Sequence, residues 1–395
     1  MIAPTLTDLA IVESSRVHLA AAADLEEILI DVESWVNHDS PTFAVPLVNA
    51  LAGVMAARMT ALGLRTELVD AGPNGRYLHA SITGPGRARV ALLCHHDTVF
   101  PVGTAAARPY RRDSTRIYGP GVCDMKGGIA VAAHTMRLLA AGPRPFSRVE
   151  LVSVPDEEER EGMPATLERL TGFDAVFTLE CGRADHAIVS SRKGGRWVKV
   201  EATGRAAHAG VAPADGRNAL VALTDEVRRI RSVDGAREGL SANLTVLRGG
   251  GSTNTIPDRA TMTYDVRGLT EKDLDWAVST IADHGSPDGI RFSDRLIGWT
   301  PPMERTPAVA RLAAAAIELG ARLGLTFGEA TTGGASDGSW AAHAGLPTID
   351  GMGPTGDLDH TTAEYAVIDT FAPRCGIIAG LVAMVDAGLL DGVQR

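Results

Sequence analysis

The chain has 395 residues, enough for about two or three domains, and 45% of them are hydrophobic, which is typical of a globular protein. Its 48 acidic and 38 basic residues give a formal charge of −10. This excess argues against nucleic acid or an anionic membrane as a partner, because no basic stripe offsets phosphate charge. No stretch reaches the roughly 18 consecutive apolar residues of a membrane span.

The N-terminal segment and the cysteines indicate a cytoplasmic protein. Residues 1–27 have no basic region and contain Asp8 and Glu13, so they do not have the pattern of a signal peptide. Four cysteines are widely spaced along the chain: Cys94, Cys123, Cys181 and Cys375. They form no CxxC pair, which predicts reduced and mostly buried thiols.

The first half of the chain alternates between helical and strand patterns. Residues 43–63 have helical periodicity that ends at Gly63, a good C-terminal cap. Short apolar runs follow and predict strands: LRTELV, RYLHASI, RVALLC, RVELVSV and DAVFTLE. A helical stretch, KGGIAVAAHTMRLLAAG, separates the third run from the fourth. This alternation predicts an α/β layered domain with a mostly parallel or mixed sheet.

The order of strand and helix patterns changes at about Arg192. RWVKVEATG, SANLTVLRGG and ATMTYDVRG have strand patterns, whereas NALVALTDEVRRIRS and EKDLDWAVSTIADHG have helical ones. We predict an inserted α+β domain of βαββαβ type over residues 192–302, with hinge freedom from three glycines: Gly194, Gly195 and Gly298. The helix PAVARLAAAAIELGARLG and the strand LPTIDGMG then resume the first pattern. Residues 1–191 and 303–395 therefore form one discontinuous α/β domain.

Polar residues stand where the predicted strands end. His95, His96 and Asp97 follow one strand, an acidic run with three glutamates follows another, and Glu180 ends a third. Ligands bind outside the carboxyl ends of strands in open α/β sheets. With two loop residues, this gives five nitrogen and oxygen ligands: His95, Asp124, Glu158, Glu180 and His360. Five such ligands suit two zinc-like ions that share a carboxylate.

Each of these features also has a structural interpretation. An acidic run is often a solvated loop, and a histidine at the end of a strand often has only a structural role. The turn GPGVCDMKGG has the glycines of a phosphate-binding loop but lacks the GxxxxGK[ST] pattern. The joint placement at strand ends is what favours a metal site.

The chain resembles the M20 metallopeptidases, especially their glutamate carboxypeptidase (carboxypeptidase G2-like) branch. The stretches that carry the resemblance follow the family's order from about residue 90 to 365: LCHHDTVFP, GPGVCDMKGG, PDEEE, TLE, GRAAHAGVAPADGRNAL, GGSTNTIPDRATMTYDVRG, TGGASDGSW and DHTTAEY. The resemblance implies a zinc-exopeptidase-like three-layer catalytic domain. It also implies that the insert is a ferredoxin-like dimerisation and lid domain.

The resemblance further implies two Zn²⁺ ions per subunit, with Co²⁺ or Mn²⁺ as substitutes. His95 and Glu180 would bind one ion, and Glu158 and His360 the other. Asp124 would bridge the two ions. The resemblance also implies a cis peptide bond after this aspartate.

The resemblance implies roles for residues around the ions. Asp97 would orient His95, which fixes the tautomer of a ligating imidazole. Glu157 would be the general base, and His208 in the insert would polarise the scissile carbonyl. The implied substrate-binding residues are Asn254, Arg267 and Gly334.

Several departures from the family pattern leave alternatives open. His96 is a rival ligand beside His95, and Cys181 stands where the family commonly has proline. A shift of one residue in the acidic run would make Glu158 the base and Glu159 the ligand. We prefer the register that keeps the family's Asp-Glu-Glu order.

The departures also bear on the substrate. Glutamate-specific relatives have an arginine before a proline where the insert ends, whereas this chain has Trp299 and Thr300. Arg267 could instead form a salt bridge on the face of its strand. The sequence thus predicts a carboxypeptidase that releases an amino acid such as glutamate, with an N-acyl-amino-acid deacylase as the alternative. A non-catalytic binding homologue is a third reading. We expect a peptide or N-acyl amino acid as substrate and a homodimer as the assembly.

Overall fold

The helices and strands fall into two units in the computed structural model, which describes residues 7–70, 72–159, 163–285 and 287–393. The first unit consists of Met1–Ser190, Arg305–Thr331 and Ser336–Arg395. The second consists of Ser191–Glu304 and Thr332–Ala335. The predicted catalytic domain begins with six residues that lie outside the described part of the chain, as do residues 160–162, which follow the acidic run.

The first unit contains nine α-helices among the described residues: Asp8–Ala23, Leu25–Val36, Val45–Ala61, Thr104–Ala107, Gly127–Ala140, Met163–Arg169, Pro307–Arg322, Asp337–His343 and Phe371–Asp386. The three helices predicted for this unit from periodicity are confirmed. The first of them ends as expected, because Gly63 follows with φ 83°, a conformation that glycine adopts without a Cβ penalty.

The last helix lies inside the core of the first unit. The segment Ile368–Asp386 is long and apolar enough for a membrane span by length and composition, with a mean hydropathy of 1.5. However, 94% of this window is buried within the structure. Its helix packs against the helices Asp8–Ala23, Pro307–Arg322 and Gly127–Ala140. The apolar composition is therefore that of a core helix.

A six-stranded mixed sheet forms the centre of the first unit. Its strands are, in spatial order, Arg65–Asp70, Arg76–Thr83, Arg148–Val154, Arg89–His95, Ala175–Thr178 and Thr348–Ile349. The first three pair antiparallel, and the last four are parallel to one another. The mixed sheet predicted from the alternating pattern is confirmed, although LPTIDGMG contributes only two strand residues.

The sheet is buried on both faces. Along Arg89–His95, Val90 and Leu92 belong to one apolar cluster, whereas Ala91 and Leu93 belong to another. Successive side chains of a strand point to opposite faces, so the two clusters lie on the two sides of the sheet. This arrangement of layers explains why the strands read as continuous apolar runs.

Shorter strands complete the first unit. Four of them form an antiparallel sheet in the spatial order Gly356–Asp357, Tyr365–Val367, Arg116–Tyr118 and Arg111–Arg112. This sheet was not predicted, because its strands are too short to show a period. A further two-stranded sheet is formed by Ile188–Arg192 and Glu329–Thr332.

The second unit has the predicted βαββαβ order. Its elements are Gly194–Thr203, Ala219–Ile230, Ser241–Gly249, Arg259–Gly268, Glu271–Ala282 and Arg291–Thr300. All strand pairs of its four-stranded sheet are antiparallel. The spatial order of the strands is Ser241–Gly249, Arg259–Gly268, Gly194–Thr203 and Arg291–Thr300. This is the topology of a ferredoxin-like domain. Val198, Val200, Met262 and Tyr264 face the two helices, and the opposite face of the sheet is open.

Two further details concern the ends of the insert and its glycines. The second unit also includes Thr332–Ala335, because Lys193 donates a backbone hydrogen bond to Thr332. The three proposed hinge glycines lie within paired strands of this unit. A Cβ on Gly194 would lie 2.5 Å from the nitrogen of Pro302, so close packing explains this glycine better than hinge freedom does.

Candidate active site

Three parallel strands bring the predicted ligands to one edge of the sheet. Arg148–Val154, Arg89–His95 and Ala175–Thr178 are neighbours and run in the same direction. Their carboxyl ends therefore lie at the same edge, where His95 ends one strand while Glu158 and Glu180 follow the other two.

Asp124 joins two groups of ligand atoms. Its Oδ1 lies 2.8 Å from Nε2 of His95, and its Oδ2 lies 3.1 Å from Nε2 of His360. Nε2 of His95 is also 3.7 Å from Glu180, and Nε2 of His360 is 3.4 Å from Glu158. We call these five residues the ligand cluster. Because its two oxygens face different groups, Asp124 can bridge two ions.

A buried carboxylate that the sequence analysis did not single out holds the loop of Asp124. The backbone N–H groups of Gly121, Cys123 and Asp124 donate to Glu364 at 2.9, 2.8 and 3.1 Å. Burial raises the pKa of Glu364 to about 7, although these N–H groups oppose the rise. The predicted cis peptide bond between Asp124 and Met125 is present in this loop. Glu364 lies within DHTTAEY, and the only sequence signal for it was its place in that motif.

Asp97 connects His95 to the acidic run. Its Oδ1 lies 3.2 Å from Nδ1 of His95, and its Oδ2 accepts a hydrogen bond from Thr42 at 2.7 Å. The same carboxylate accepts the backbone N–H groups of Glu157 and Glu158, each at 3.2 Å. Burial would raise the pKa of Asp97, but the hydrogen bonds from His95 and Thr42 hold it below its usual value. Asp97 thus orients the imidazole and fixes the backbone of the acidic run.

The electrostatics of the ligand cluster favour added positive charge. Burial is the largest cause that raises the pKa of Glu158 to about 7 and that of Glu180 well above its usual value, and the charge of Asp124 adds to both shifts. Contact with Asp124, and then with Glu158, raises the pKa of His360 to about 11. Burial and the charge of Asp124 thus disfavour the charged forms of Glu158 and Glu180, and a bound divalent cation would offset both effects.

The donor set fits divalent metal ions. Two imidazole nitrogens and three carboxylates are ligands that Zn²⁺ accepts, and Mn²⁺ and Co²⁺ bind similar sets. The ligand atoms of each group lie within 4.8 Å of one another, which is close enough for one ion to contact all of them. Both groups share Asp124, so the residues present fit a pair of ions.

The rival ligands lie outside these groups. Nδ1 of His96 is 2.9 Å from the hydroxyl of Ser153, and burial lowers the pKa of this histidine to about 4. Glu159 is exposed, whereas Glu158 faces His360. Cys181 is buried in the core, as are the other three cysteines, and all four are free thiols. The thiol prediction is thus confirmed, and the geometry favours the register in which Glu158 is the ligand.

Glu157 lies beside the ligand cluster without belonging to it. Its side chain is buried, and its charge is near enough to raise the pKa values of both Glu158 and Glu180. It has no place in either group of metal-ligand atoms found among the described residues. A carboxylate in this position can exchange protons, because it is not held by a metal ion.

His208 and Asn254 lie together in the second unit. The strand Ala207–His208 pairs with Thr255–Ile256, and the backbone of Asn254 accepts the N–H of Ala209 at 2.8 Å. Nδ1 of His208 accepts the N–H groups of Gly210 and Val211 at 3.2 and 3.1 Å. The neutral imidazole therefore carries its proton on Nε2, where it can donate to a substrate oxygen.

Arg267 lies at the other end of the same sheet. Its strand pairs with Gly194–Thr203 so that Arg267 is opposite Gly195, whereas the His208 ribbon follows Thr203. Arg267 forms a two-pronged salt bridge to Asp265 at 2.6 and 2.9 Å. The strand-face salt bridge that the sequence left open is thus present. The structure does not bring Arg267 to His208 within one chain.

The other residues predicted to influence substrate binding are also in the second unit. Gly334 is exposed, and its carbonyl accepts a hydrogen bond from Arg192 at 3.1 Å. Trp299 is 38% exposed and packs against the guanidinium of Arg196. Thr300 is buried and accepts the backbone N–H of Gly195. This end of the insert thus presents a partly exposed aromatic side chain.

The chain is similar to hydrolases of one family. Residues 91–384 match the profile of Peptidase family M20/M25/M40. The chain is 31% identical to carboxypeptidase G2 of Pseudomonas sp. strain RS-16, over 93% of this chain and 92% of that protein. It is 24% identical to a succinyl-diaminopimelate desuccinylase of Paracidovorax citrulli, over 88% and 95% of the two chains. The fold is similar to that of aminopeptidase PepT of Bacillus cereus, with a TM-score of 0.76, 21% identity and coverage of 91% and 98%.

Proposed function

This chain belongs to Peptidase family M20/M25/M40 and is a hydrolase of peptide or amide bonds, and we propose that it cleaves the amide next to a free carboxylate. The products are a C-terminal amino acid, such as glutamate, and an acyl or peptidyl acid. The observation that carries this proposal is the arrangement of Asp124 between two histidines, with Glu157 beside them.

The ligand cluster would hold two Zn²⁺ ions. His95 and Glu180 would bind the first, Glu158 and His360 the second, and Asp124 both. When bound, such ions lower the pKa of water and polarise a carbonyl oxygen. Asp97 keeps the imidazole of His95 in the orientation that binding requires.

Glu157 serves as the general base and then as the general acid. It takes a proton from the attacking water and passes that proton to the leaving nitrogen. Its neighbour Glu158 cannot do so while its carboxylate binds metal, so the two glutamates have separate roles. Asp97 accepts the N–H groups of both residues, which keeps both side chains in place.

His208 stabilises the oxygen of the scissile carbonyl. Its Nε2–H is free to donate, because Nδ1 is occupied by two backbone N–H groups. Asn254 lies on the same ribbon and offers its amide to the substrate's carboxylate. We assign Arg267 and Gly334 to the same carboxylate, and Arg267 can donate to it once Asp265 yields part of its salt bridge.

These assignments favour a site that two subunits share. Thr203 and Gly195 are eight residues apart along one strand, which is roughly 26 Å at ~3.3 Å per residue. His208 and Arg267 of one chain therefore lie toward opposite ends of the sheet. In a homodimer, His208 of one subunit can instead act in the site of its partner. The strand Ser241–Gly249 is an edge of the sheet and exposes Leu244 and Leu247, which suits pairing with a second copy.

Mixing two inactive variants tests the shared site. Glu157→Gln and His208→Ala proteins are each expected to be nearly inactive. After subunit exchange, a heterodimer contains one site with both wild-type residues, so activity should return to that site. Unchanged inactivity after exchange has been verified by mass spectrometry would place His208 in its own subunit's site or in none.

A deacylase that removes a small acyl group is the second candidate. The similarity to a desuccinylase favours it, and so does the exposed Trp299 in place of an arginine. Both activities use the same residues and differ in which side of the amide is recognised. A panel of zinc-loaded reactions, with matched acyl groups and matched amino acids, separates them. Turnover that depends on the amino acid supports the carboxypeptidase, and turnover that depends only on the acyl group supports the deacylase.

We also propose that the protein works in the cytoplasm. All four cysteines are free and buried in the structure, which suits a reducing compartment. Fractionation of the native cells, with detection of the chain by mass spectrometry, tests this location.

A further inference from the structure

A cavity of about 390 Å³ lies in the first unit and is lined in part by the acidic run. Its apolar lining residues are Phe43, Val45 and Pro73, and its polar ones are Thr42, Asn74, Asp156 and Glu159. We call it the acyl-side cavity. It contains none of the ligand cluster, so metal binding does not account for it.

The wall of the acyl-side cavity is continuous with the residues that hold the base. Thr42 donates to Asp97, and Asp97 accepts the backbone N–H of Glu157. Asp156 directly precedes Glu157 in the chain. A group bound in the cavity therefore contacts residues that flank Glu157 in the chain.

The cavity is formed before substrate binds. Asn74 donates to Asp156 at 2.9 Å, which ties one wall to the acidic run. Gly75 has φ 115°, and a Cβ there would lie 3.2 Å from Cβ of Pro155. Only glycine allows this close approach of the two loops. The cavity thus has fixed walls on at least two sides.

The charge of the lining selects its occupant. Among the residues that the structure describes, two carboxylates line the cavity, and no lysine, arginine or histidine does. Glu159 is exposed and has no ion-pair partner among the residues that the structure describes. Phe43 is 74% exposed, which is unusual for so large an apolar side chain and provides a surface for a flat apolar group.

We propose that the acyl-side cavity binds the acyl group of the substrate and prefers an aromatic acyl group that is neutral or cationic over one that carries a carboxylate. This inference rests on the proposed function, which assigns the carboxylate of the released amino acid to the second unit. The cavity, built entirely from the first unit, is then left for the acyl group. Succinyl and other acidic acyl groups are poor substrates by this reasoning.

Three substrates that differ only in charge test the preference. Each is an N-benzoyl derivative of the same amino acid, with an aminomethyl, methyl or carboxyl group at the para position. We expect kcat/KM to fall in that order, by about twofold to fivefold per step, since exposed charge pairs have effects of that size. Equal values for the three substrates, or a preference for the carboxyl compound, would overturn the assignment.

Variants locate the preference in the cavity. Glu159→Lys should reverse the order of the three substrates, whereas Glu67→Lys, the same charge change at an exposed strand position outside the lining, should preserve it. Phe43→Ala should lower kcat/KM for benzoyl substrates relative to acetyl ones by about twofold to tenfold. If both lysine variants change the order of the three kcat/KM values equally, the preference arises from long-range electrostatics. That result would refute binding of the acyl group in this cavity.

The same assay separates this inference from the proposed function. If zinc-loaded protein hydrolyses none of the three substrates and no acetylated amino acid, the proposed function is wrong and the inference falls with it. Hydrolysis of all three without a charge order leaves the proposed function in place and removes only the acyl-side cavity.

Discussion

Replacing Glu157 by glutamine tests the division of labour in the acidic run. The side chain is 5% exposed and outside both ligand groups, so an isosteric amide should leave the fold and both ions in place. The backbone hydrogen bond from residue 157 to Asp97 does not depend on the side chain. Only proton transfer is lost, and loss of a general base typically reduces turnover by about 10²–10⁴-fold. This corresponds to about 2.7–5.4 kcal/mol of transition-state stabilisation.

The assay pairs metal content with turnover in three matched glutamine variants. Glu157→Gln should keep two zinc ions per chain by plasma mass spectrometry and lose kcat. Glu158→Gln should lose zinc, because a carboxylate of the second group has gone. Glu67→Gln, at an exposed strand position, should retain both zinc and kcat.

The reverse outcome would refute the reasoning. If Glu157→Gln loses metal and Glu158→Gln retains it, the assigned register is wrong by one residue. If Glu157→Gln keeps both its metal and its kcat, the general base is a different group.

Two further residues give independent tests. Glu364→Gln replaces one oxygen that accepts backbone N–H groups of the Asp124 loop. Zinc affinity, measured in competition with a chelator, should therefore fall by about 10–100-fold. Unchanged affinity would mean that Glu364 does not position Asp124. Asp31→Ala removes the hydrogen-bond partner of buried His134 and of Arg58. The free energy of unfolding, measured in urea, should fall by about 3–5 kcal/mol. A fall of less than about 1 kcal/mol would contradict a structural role for these two contacts. Burial would raise the pKa of Asp31, but its two hydrogen bonds lower it, so its contribution is present above pH ~4 and lost as pH falls further. Below pH ~4, the free energy of unfolding of the wild type should therefore fall more steeply with pH than that of Asp31→Ala. Parallel plots of this free energy against pH would show that the pKa of Asp31 is not lowered.

Much of the fold could be predicted because its elements are long enough to show a period. The helix Val45–Ala61 and five of the six elements of the second unit could be predicted from alternation and helical spacing. The short antiparallel sheet around Arg116–Tyr118 could not be, since two or three residues show no period. The helix Phe371–Asp386 is apolar on all sides and therefore lacks the amphipathic pattern that marks a surface helix.

The site divides in the same way. Strand order brought His95, Glu158 and Glu180 to one edge, which strand-end positions alone could suggest. The direction of a side chain could not be read from sequence. The side chain of His96 contacts Ser153, whereas that of its neighbour His95 belongs to the ligand cluster. Arg267 forms a salt bridge with Asp265 on the face of its strand. The direction of each side chain depends on the pleat of its strand and on the residues that it contacts on the neighbouring strands.

A zinc titration of chelator-treated protein tests the central claim most directly. Hydrolysis of an N-benzoyl amino acid is followed while zinc is added in known equivalents per chain. The structure predicts activity that saturates at two equivalents, because two ligand groups share Asp124. Saturation at one equivalent, or no hydrolysis at any zinc concentration, would contradict the account of a two-ion amide hydrolase.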